Sequence, residues 1–219
     1  PVECEVPGVN QVAIGEQGNT YGSILRNVLR QDPDVIMVGE IIDRDTAEVA
    51  IRASLTGHLV LTTLHTNDAS SAISRLTNMG IDADIIRNSL ILVIAQRLTR
   101  LICKNCRTTY ELTSEEIALL DMTEIKMGYR GKGCVKCSNT GYKGRTVSYE
   151  IMTIGKELKE NILSGDSDIL RNIAISQGMI TMNECFKTLV IHGDTTMEDY
   201  YSNMQVYNIE KALGVDYGI

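Results

Sequence analysis

Along the first hundred residues, short aliphatic runs alternate with stretches whose apolar positions recur every three or four residues. Tyr21, Ile24, Leu25, Val28 and Leu29 fall at i, i+3, i+4, i+7 and i+8, the single stripe of an amphipathic helix. Gly18-Asn19-Thr20 supplies a break and an N-cap before it. Pro33 helps to end it, because the residue before a proline avoids helical torsions. Val35-Ile36-Met37-Val38 is continuously apolar, the pattern of a strand buried on both faces, and Leu59–Leu64 reads the same way. Between them Asp43 caps a helix over Arg44–Leu55, which Gly57 ends. Strand, helix and strand at this spacing predict a crossover unit in a parallel sheet. A strand-like run at Gln11–Glu16 precedes the unit. Helices over Asp68–Met79 and Asp82–Leu92, split by Gly80, follow it.

Beyond residue 100 the pattern changes. Residues 101–145 are rich in Cys, Gly and Lys, with one short helix announced by the capping box Thr113-Ser114-Glu115-Glu116. Thr146–Ile154 reads as a strand, and helices follow over Glu157–Leu163, Ser167–Gln177, Met182–His192 and Met197–Met204. Capping boxes at Thr181 with Glu184 and Thr195 with Glu198 open the last two. The expected organisation is an α/β region over 1–100, a four-cysteine metal module over 101–145, a small, mainly helical domain over 146–204, and a weakly patterned tail over 205–219.

Composition narrows the chemistry. A chain of 219 residues that is 43% hydrophobic and 22% charged is an ordinary globular one. Its longest aliphatic runs, Val35–Val38 and Leu90–Ala95, fall far short of the ~20 residues of a membrane span. A net charge of −7, with nine Tyr, one Phe and no Trp, argues against a nucleic-acid surface or a base-stacking platform, so no nucleic-acid partner is expected. No lysine precedes Lys104, so a phosphate-cradling Gly-Lys-Ser/Thr loop is absent from the first half, and the second half has none.

Four of the six cysteines form two Cys-x-x-Cys pairs, Cys103 with Cys106 and Cys134 with Cys137. No signal-peptide pattern opens the sequence, which favours a thiolate metal site over a disulfide framework, and a cytosolic compartment. Four thiolates suit one structural zinc with no open coordination position; a redox pair is the rival reading. Closing the 27-residue loop between the pairs costs roughly 3 kcal/mol plus a constant. Zinc binding in small domains supplies ~10–16 kcal/mol, so the metal is expected to fold the segment. Eight Lys and Arg against five acids make residues 103–145 a basic knob on an acidic chain, either a solvated surface or a face for an acidic partner or an anionic membrane. Cys4 and Cys185 are expected as buried small side chains.

Parallel sheets bind ligands beyond the carboxyl ends of their strands. Glu40 follows the first apolar strand and His65 the second, and a carboxylate and an imidazole at one edge can hold a water and a phosphate between them. The plain alternatives are a solvated glutamate and a hydrogen-bonded loop histidine. His58 begins its strand, at the opposite edge, and is given a structural role. Arg26 and Arg30 share one side of a helix, where a solvated flank is the alternative to contact with an anion.

The runs Arg30-Gln31-Asp32-Pro33-Asp34-Val35-Ile36-Met37-Val38-Gly39-Glu40-Ile41 and Thr56-Gly57-His58-Leu59-Val60-Leu61-Thr62-Thr63-Leu64-His65-Thr66-Asn67 closely resemble the Walker B and His boxes of the secretion ATPases. The two cysteine pairs followed by Thr140-Gly141-Tyr142-Lys143-Gly144-Arg145 narrow the resemblance to the type IV pilus assembly and type II secretion ATPases (PilB/GspE-type), over about residues 1–204. Pro1-Val2-Glu3 is similar to the end of the family's Asp box. The resemblance implies part of a RecA-like P-loop NTPase domain. Glu40 would help organise magnesium and the attacking water, and His65 would sense the γ-phosphate. Arg26 and Arg30 would be arginine fingers at a subunit boundary. It also implies a homo-hexamer with ATP, magnesium and structural zinc, working at the inner face of the cytoplasmic membrane against a membrane platform protein. Three positions depart from the family pattern. Ile42 and Ser23 stand where arginines are usual, and Gly144-Arg145-Thr146-Val147-Ser148-Tyr149-Glu150 replaces a more usual Gly-Ile before the Tyr-Glu. The first two are expected to weaken contacts between subunits.

In the family the P-loop precedes these boxes, and here it would fall before Pro1. The chain therefore reads as a C-terminal fragment of an ATPase, expected to be inactive by itself. A pilus retraction motor is disfavoured by the four-cysteine module, and a zinc-stabilised binding module is the reading from another class.

Overall fold

A computed structural model describes residue 2 and residues 4–15, 18–122 and 124–204. Pro1 and Glu3 of the expected Asp box, and the 205–219 tail, lie outside the described residues. The chain runs α1 (Tyr21–Val28), β1 (Val35–Val38), α2 (Arg44–Leu55), β2 (Leu59–Thr62), α3 (Ser71–Asn78), α4 (Ala83–Ser89), β3 (Leu92–Ile102), β4 (Arg107–Glu111), α5 (Ser114–Leu120), β5 (Met127–Gly131), β6 (Tyr142–Thr153), α6 (Lys156–Asn161), α7 (Ser167–Ser176), α8 (Met182–His192) and α9 over 197–204. Short 3-10 turns at Leu29–Gln31, Val135–Cys137 and Ile162–Ser164 complete the order.

Local sequence sets most helix starts. Thr20 and Ser23 form a reciprocal capping box at α1, Asp43 accepts from the Thr46 N–H at 2.7 Å to start α2, and Thr113–Glu116 and Thr181–Glu184 box α5 and α8. Ser23 is thus spent on capping its own helix. Thr196, not Thr195, caps α9 by accepting from the Asp199 N–H at 3.1 Å. Thr195 is instead fully buried, its hydroxyl turned to Asp199 and Thr99.

Strand pairing joins segments far apart in sequence. β1 and β2 pair in parallel, Val35 opposite Leu59 through Val38 opposite Thr62, with α2 as the crossover. β3 and β6 form a long antiparallel ribbon from Leu92 opposite Thr153 to Ile102 opposite Tyr142, with a register shift between Arg100 and Ile102. β4 and β5 pair antiparallel within the cysteine module.

Three strand expectations are corrected. β1 and β2 are buried on one face only: Val35, Met37, Leu59 and Leu61 lie 48–72% exposed, because no described residue packs over that side. Leu92 belongs to β3 and not to the preceding helix, which ends at Ser89; Leu90 turns extended, and Val93, Ala95 and Thr99 point inward at period two. Residues 11–15 form no strand, having no partner strand, and Glu16 lies outside the described residues. Cys4 is exposed and Cys185 half-buried, so neither is the buried side chain expected.

Two cores result. The larger joins Leu25, Ile36, Val38, Ile73 and Ile86 to Met152, Leu158 and Leu170, so α6 and α7 pack on the α/β half. The smaller joins Leu112 and Leu120 of the cysteine module to Phe186, Val190, Met197 and Tyr200 of α8 and α9. Asp199 fastens α9 to β3: it accepts from the Thr99 hydroxyl, the Arg100 N–H at 2.9 Å and Arg100 Nε at 2.6 Å. Burial pushes its carboxyl up, but these donors outweigh burial and hold it below the usual carboxylate range. Phe186 is fully buried, edge-on to Tyr200 at 5.6 Å. Phe186→Ala is expected to cost about 3–5 kcal/mol, read as a lower thermal midpoint.

Candidate functional site

Parallel pairing of β1 and β2 brings Gly39-Glu40 and the segment ending at His65 to the same sheet edge. The Ile41 N–H donates to the Thr63 carbonyl at 3.0 Å and the Thr63 hydroxyl to the Gly39 carbonyl at 2.6 Å, so the two loops are held together past the strands. His65 Nε2 then lies 3.2 Å from Glu40 Oε2, with the side chains 66% and 40% exposed respectively. An imidazole and a carboxylate in contact and open to solvent can share a ligand from above the edge. Tyr21, at the start of α1, reaches the same place: a Cβ on Gly39 would lie 3.3 Å from its hydroxyl. Periodicity marked Tyr21 only as part of an apolar stripe, so its place at this edge had no sequence signal.

Arg26 and Arg30 are both exposed, on α1 and the 3-10 turn after it, and the structure does not bring them into contact with Glu40 or His65. Arg44, two residues beyond Ile42, pairs with Glu48 at 2.8 Å. His58 lies at the far end of β2, its Nδ1 3.0 Å from the Ala53 carbonyl at the close of α2, a structural position.

The second constellation is the cysteine centre. Cys103 follows β3, Cys106 precedes β4, and Cys134 precedes and Cys137 ends one 3-10 turn. Their sulfur atoms lie within 4.8 Å of one another, with separations of 3.9 Å for Cys103–Cys134, 3.9 Å for Cys106–Cys137 and 3.7 Å for Cys134–Cys137. A tetrahedron of sulfurs at ~2.3 Å from a zinc ion has edges of about 3.8 Å, so the four fit such an ion. None of the six cysteines is in a disulfide. The Cys134 N–H donates to Cys137 Sγ at 3.2 Å and Asn105 Nδ2 to Cys134 Sγ at 3.3 Å, the outer contacts that orient metal-binding thiolates. Burial pushes the Cys137 thiol up, but N–H donors from Cys134 and Gly141 outweigh it and bring it down to about 6. The knuckles meet backbone to backbone: a Cβ at Gly131 would lie 2.1 Å from the Gly141 carbonyl oxygen, so glycine is required there.

A cleft of ≈ 460 Å³ beside this centre is bordered by Lys104, Arg107, Lys136 and Lys143, with Asp194 the one acid. It is basic, as the charge count of the segment predicts, and neither Glu40 nor His65 borders it.

Residues 1–202 match the family model for type II/IV secretion system proteins. The chain is 43% identical over 205 residues to the type IV pilus assembly ATPase PilB of Thermus thermophilus, covering 91% of this chain and 23% of that protein. It is 41% identical over 201 residues to the type II secretion system protein HxcR of Pseudomonas aeruginosa, covering 91% and 40%. The chain thus spans less than half the length of these relatives. Among solved structures it resembles the pilus retraction motor PilT with bound ADP, at a TM-score of 0.62 and 28% identity over 89% of this chain and 46% of that one. The fold is also shared by the ATPase DotB of Legionella pneumophila, at a TM-score of 0.60 and 22% identity over 85% and 42%. The α/β half is therefore built as part of a RecA-like ATPase domain.

Proposed function

Because the chain belongs to the type II/IV secretion system protein family, we propose that it is the C-terminal part of a hexameric motor ATPase that couples ATP hydrolysis to type IV pilus assembly or type II secretion. The observation that carries this reading is the 3.2 Å contact of Glu40 with His65 at the carboxyl edge of two parallel strands. In it, Glu40 orders the magnesium and the attacking water, and His65 stands to the γ-phosphate. Arg26 and Arg30 are exposed because their nucleotide belongs to a neighbouring subunit, where they neutralise transition-state charge.

Two apolar surfaces support a larger assembly. One is the open face of β1 and β2. The other is the outward face of the β3–β6 ribbon, where Leu92, Ile94, Leu98, Tyr149 and Ile151 are 43–59% exposed. Contiguous apolar surface of this kind marks an interaction face. On this reading the remainder of the ATPase domain, with the phosphate-cradling loop, covers these faces. The four cysteines hold one structural zinc. The basic cleft beside them turns to the acidic side of the machine, a platform protein or the anionic inner face of the cytoplasmic membrane.

The discriminating experiment compares the full-length protein with these 219 residues. The full-length protein is expected to hydrolyse ATP with magnesium. The 219-residue chain is expected to show no turnover above background and little nucleotide affinity, since it has no Gly-Lys-Ser/Thr loop to cradle phosphate. Magnesium-dependent turnover by the 219 residues alone would overturn this assignment of roles.

A further inference from the structure

Three acidic and basic side chains meet beneath the loop that carries His65. Glu150, on β6 and 1% exposed, accepts from the Ala69 N–H at 2.8 Å through Oε1 and from the Met182 N–H at 3.0 Å through Oε2. One carboxylate therefore holds both the turn leading into α3 and the first residue of α8. Asp68, three residues after His65 and buried, accepts through Oδ1 from the Ser71 N–H at 2.8 Å and from the Ser71 and Ser70 hydroxyls at 2.6 and 3.0 Å. Burial pushes its carboxyl up, but these donors, together with Arg171, outweigh burial and hold it below the usual carboxylate range.

Arg171 of α7 reaches between the two acids. Its Nη1 lies 3.6 Å from Glu150 Oε1 and 3.9 Å from Asp68 Oδ2, and although shielded from water it makes a hydrogen bond with neither. A buried donor without an acceptor is unfavourable, and N–H···O bonds close at ~2.7–3.2 Å, so a shift of about 1 Å completes a bond to one carboxylate or the other. A shift of the His65 loop moves Asp68 and the Ala69 N–H together, and with them the balance between these two acceptors.

We propose that Arg171 is a positioning residue that couples the His65 loop to the helical layer: its guanidinium engages Asp68 or Glu150 according to where that loop lies, and the choice sets how α7 and α8 seat on β6. Arg171 touches no nucleotide; it passes the state of the loop to the second core, which α8 shares with the cysteine module. The coupling rests on the reading of His65 as the phosphate-sensing side chain.

Hydrogen exchange of the full-length protein, with and without magnesium and a non-hydrolysable ATP analogue, tests it. In the unmodified protein, exchange is expected to change both at 65–71 and at 181–192. In Arg171→Gln the change at 65–71 is expected to persist while that at 181–192 shrinks by about fivefold or more, the scale of a modest coupling between sites. Arg171→Lys, which keeps the charge, is expected to restore part of it. Asp68→Asn keeps the Oδ1 acceptor for Ser71 and replaces Oδ2, which faces Arg171, with an uncharged amide group. It is expected to repeat the loss, and it carries the test if Arg171→Gln does not fold. An undiminished response at 181–192 in either folded variant, or none there in the unmodified protein, overturns the coupling alone. No response at 65–71 in the unmodified protein overturns the reading of His65 and the coupling with it.

Discussion

Glu40→Gln in the full-length protein is expected to lower ATP turnover by ~10²–10⁴ while leaving ATP affinity within a few-fold of the unmodified protein. The amide keeps the size and hydrogen-bonding reach of the side chain but loses the charge that orders magnesium and its water. That range is about 3–5 kcal/mol of barrier, nearly all of it in kcat. Its exposed position facing His65 permits the exchange without a folding cost, so a thermal scan of the variant is expected to superimpose on the unmodified protein. Arg26→Ala is expected to fail differently. If Arg26 acts across a subunit boundary, rings mixed from Arg26→Ala and Glu40→Gln subunits regain activity, because one interface pairs an intact carboxylate with an intact arginine. No rescue in rings shown to exchange subunits counts against that role, and equal loss of ATP affinity in Glu40→Gln would make Glu40 a binding residue.

The second large effect concerns the metal. One zinc per chain is expected by elemental analysis of protein prepared without chelator, and its removal is expected to unfold β4, α5 and β5. Apparent binding of ~10–16 kcal/mol exceeds what the few apolar side chains of the module contribute without it. Because Leu112 and Leu120 share a core with Phe186 and Tyr200, loosening is expected to spread into α8 and α9 but to leave the larger core folded. Hydrogen exchange before and after chelation reads both. Acid acts in the same direction, since each ligand must be a thiolate. Protons compete with the metal for each of the four thiolates, so zinc retention is expected to fall as the pH is lowered. Protein without zinc, or a disulfide within either cysteine pair, would remove the metal from the account.

How much of this was legible in the sequence depends on how local each feature is. The apolar stripe of α1, the capping boxes at Thr113 and Thr181 and the runs that became β1 and β2 are decided by neighbours in the chain, and they read directly. Glu40 and His65 were legible because parallel strands place whatever follows them at one edge. The one-sided burial of Val35 and Met37 was not, since periodicity reports that a face is apolar and not whether anything covers it. β3 was hidden for a related reason: its inward positions include the polar Thr99, which is buried against Thr195 and Asp199, about a hundred residues on. The cap of α9 moved by one residue on the same account, Thr195 being drawn into that buried cluster. Glu150 and Arg171 gave no signal either, because their neighbours lie on other elements: Ala69 before α3 and Met182 of α8 for Glu150, Asp68 before α3 and Glu150 of β6 for Arg171.

The β3–β6 ribbon gives the molecule a lever. Eleven residues of extended chain span roughly 37 Å at ~3.4 Å per residue, from Leu92 at the border of the larger core to the knuckle at Cys103. Tilting a stiff arm of that length by about 10° sweeps its far end through about 6 Å, more than one helical turn. Any tilt of that ribbon about the packing around Ile36 and Met152 would therefore be largest at the cysteine module, where the lysines of Cys103-Lys104-Asn105-Cys106 and Cys134-Val135-Lys136-Cys137 lie at its far end.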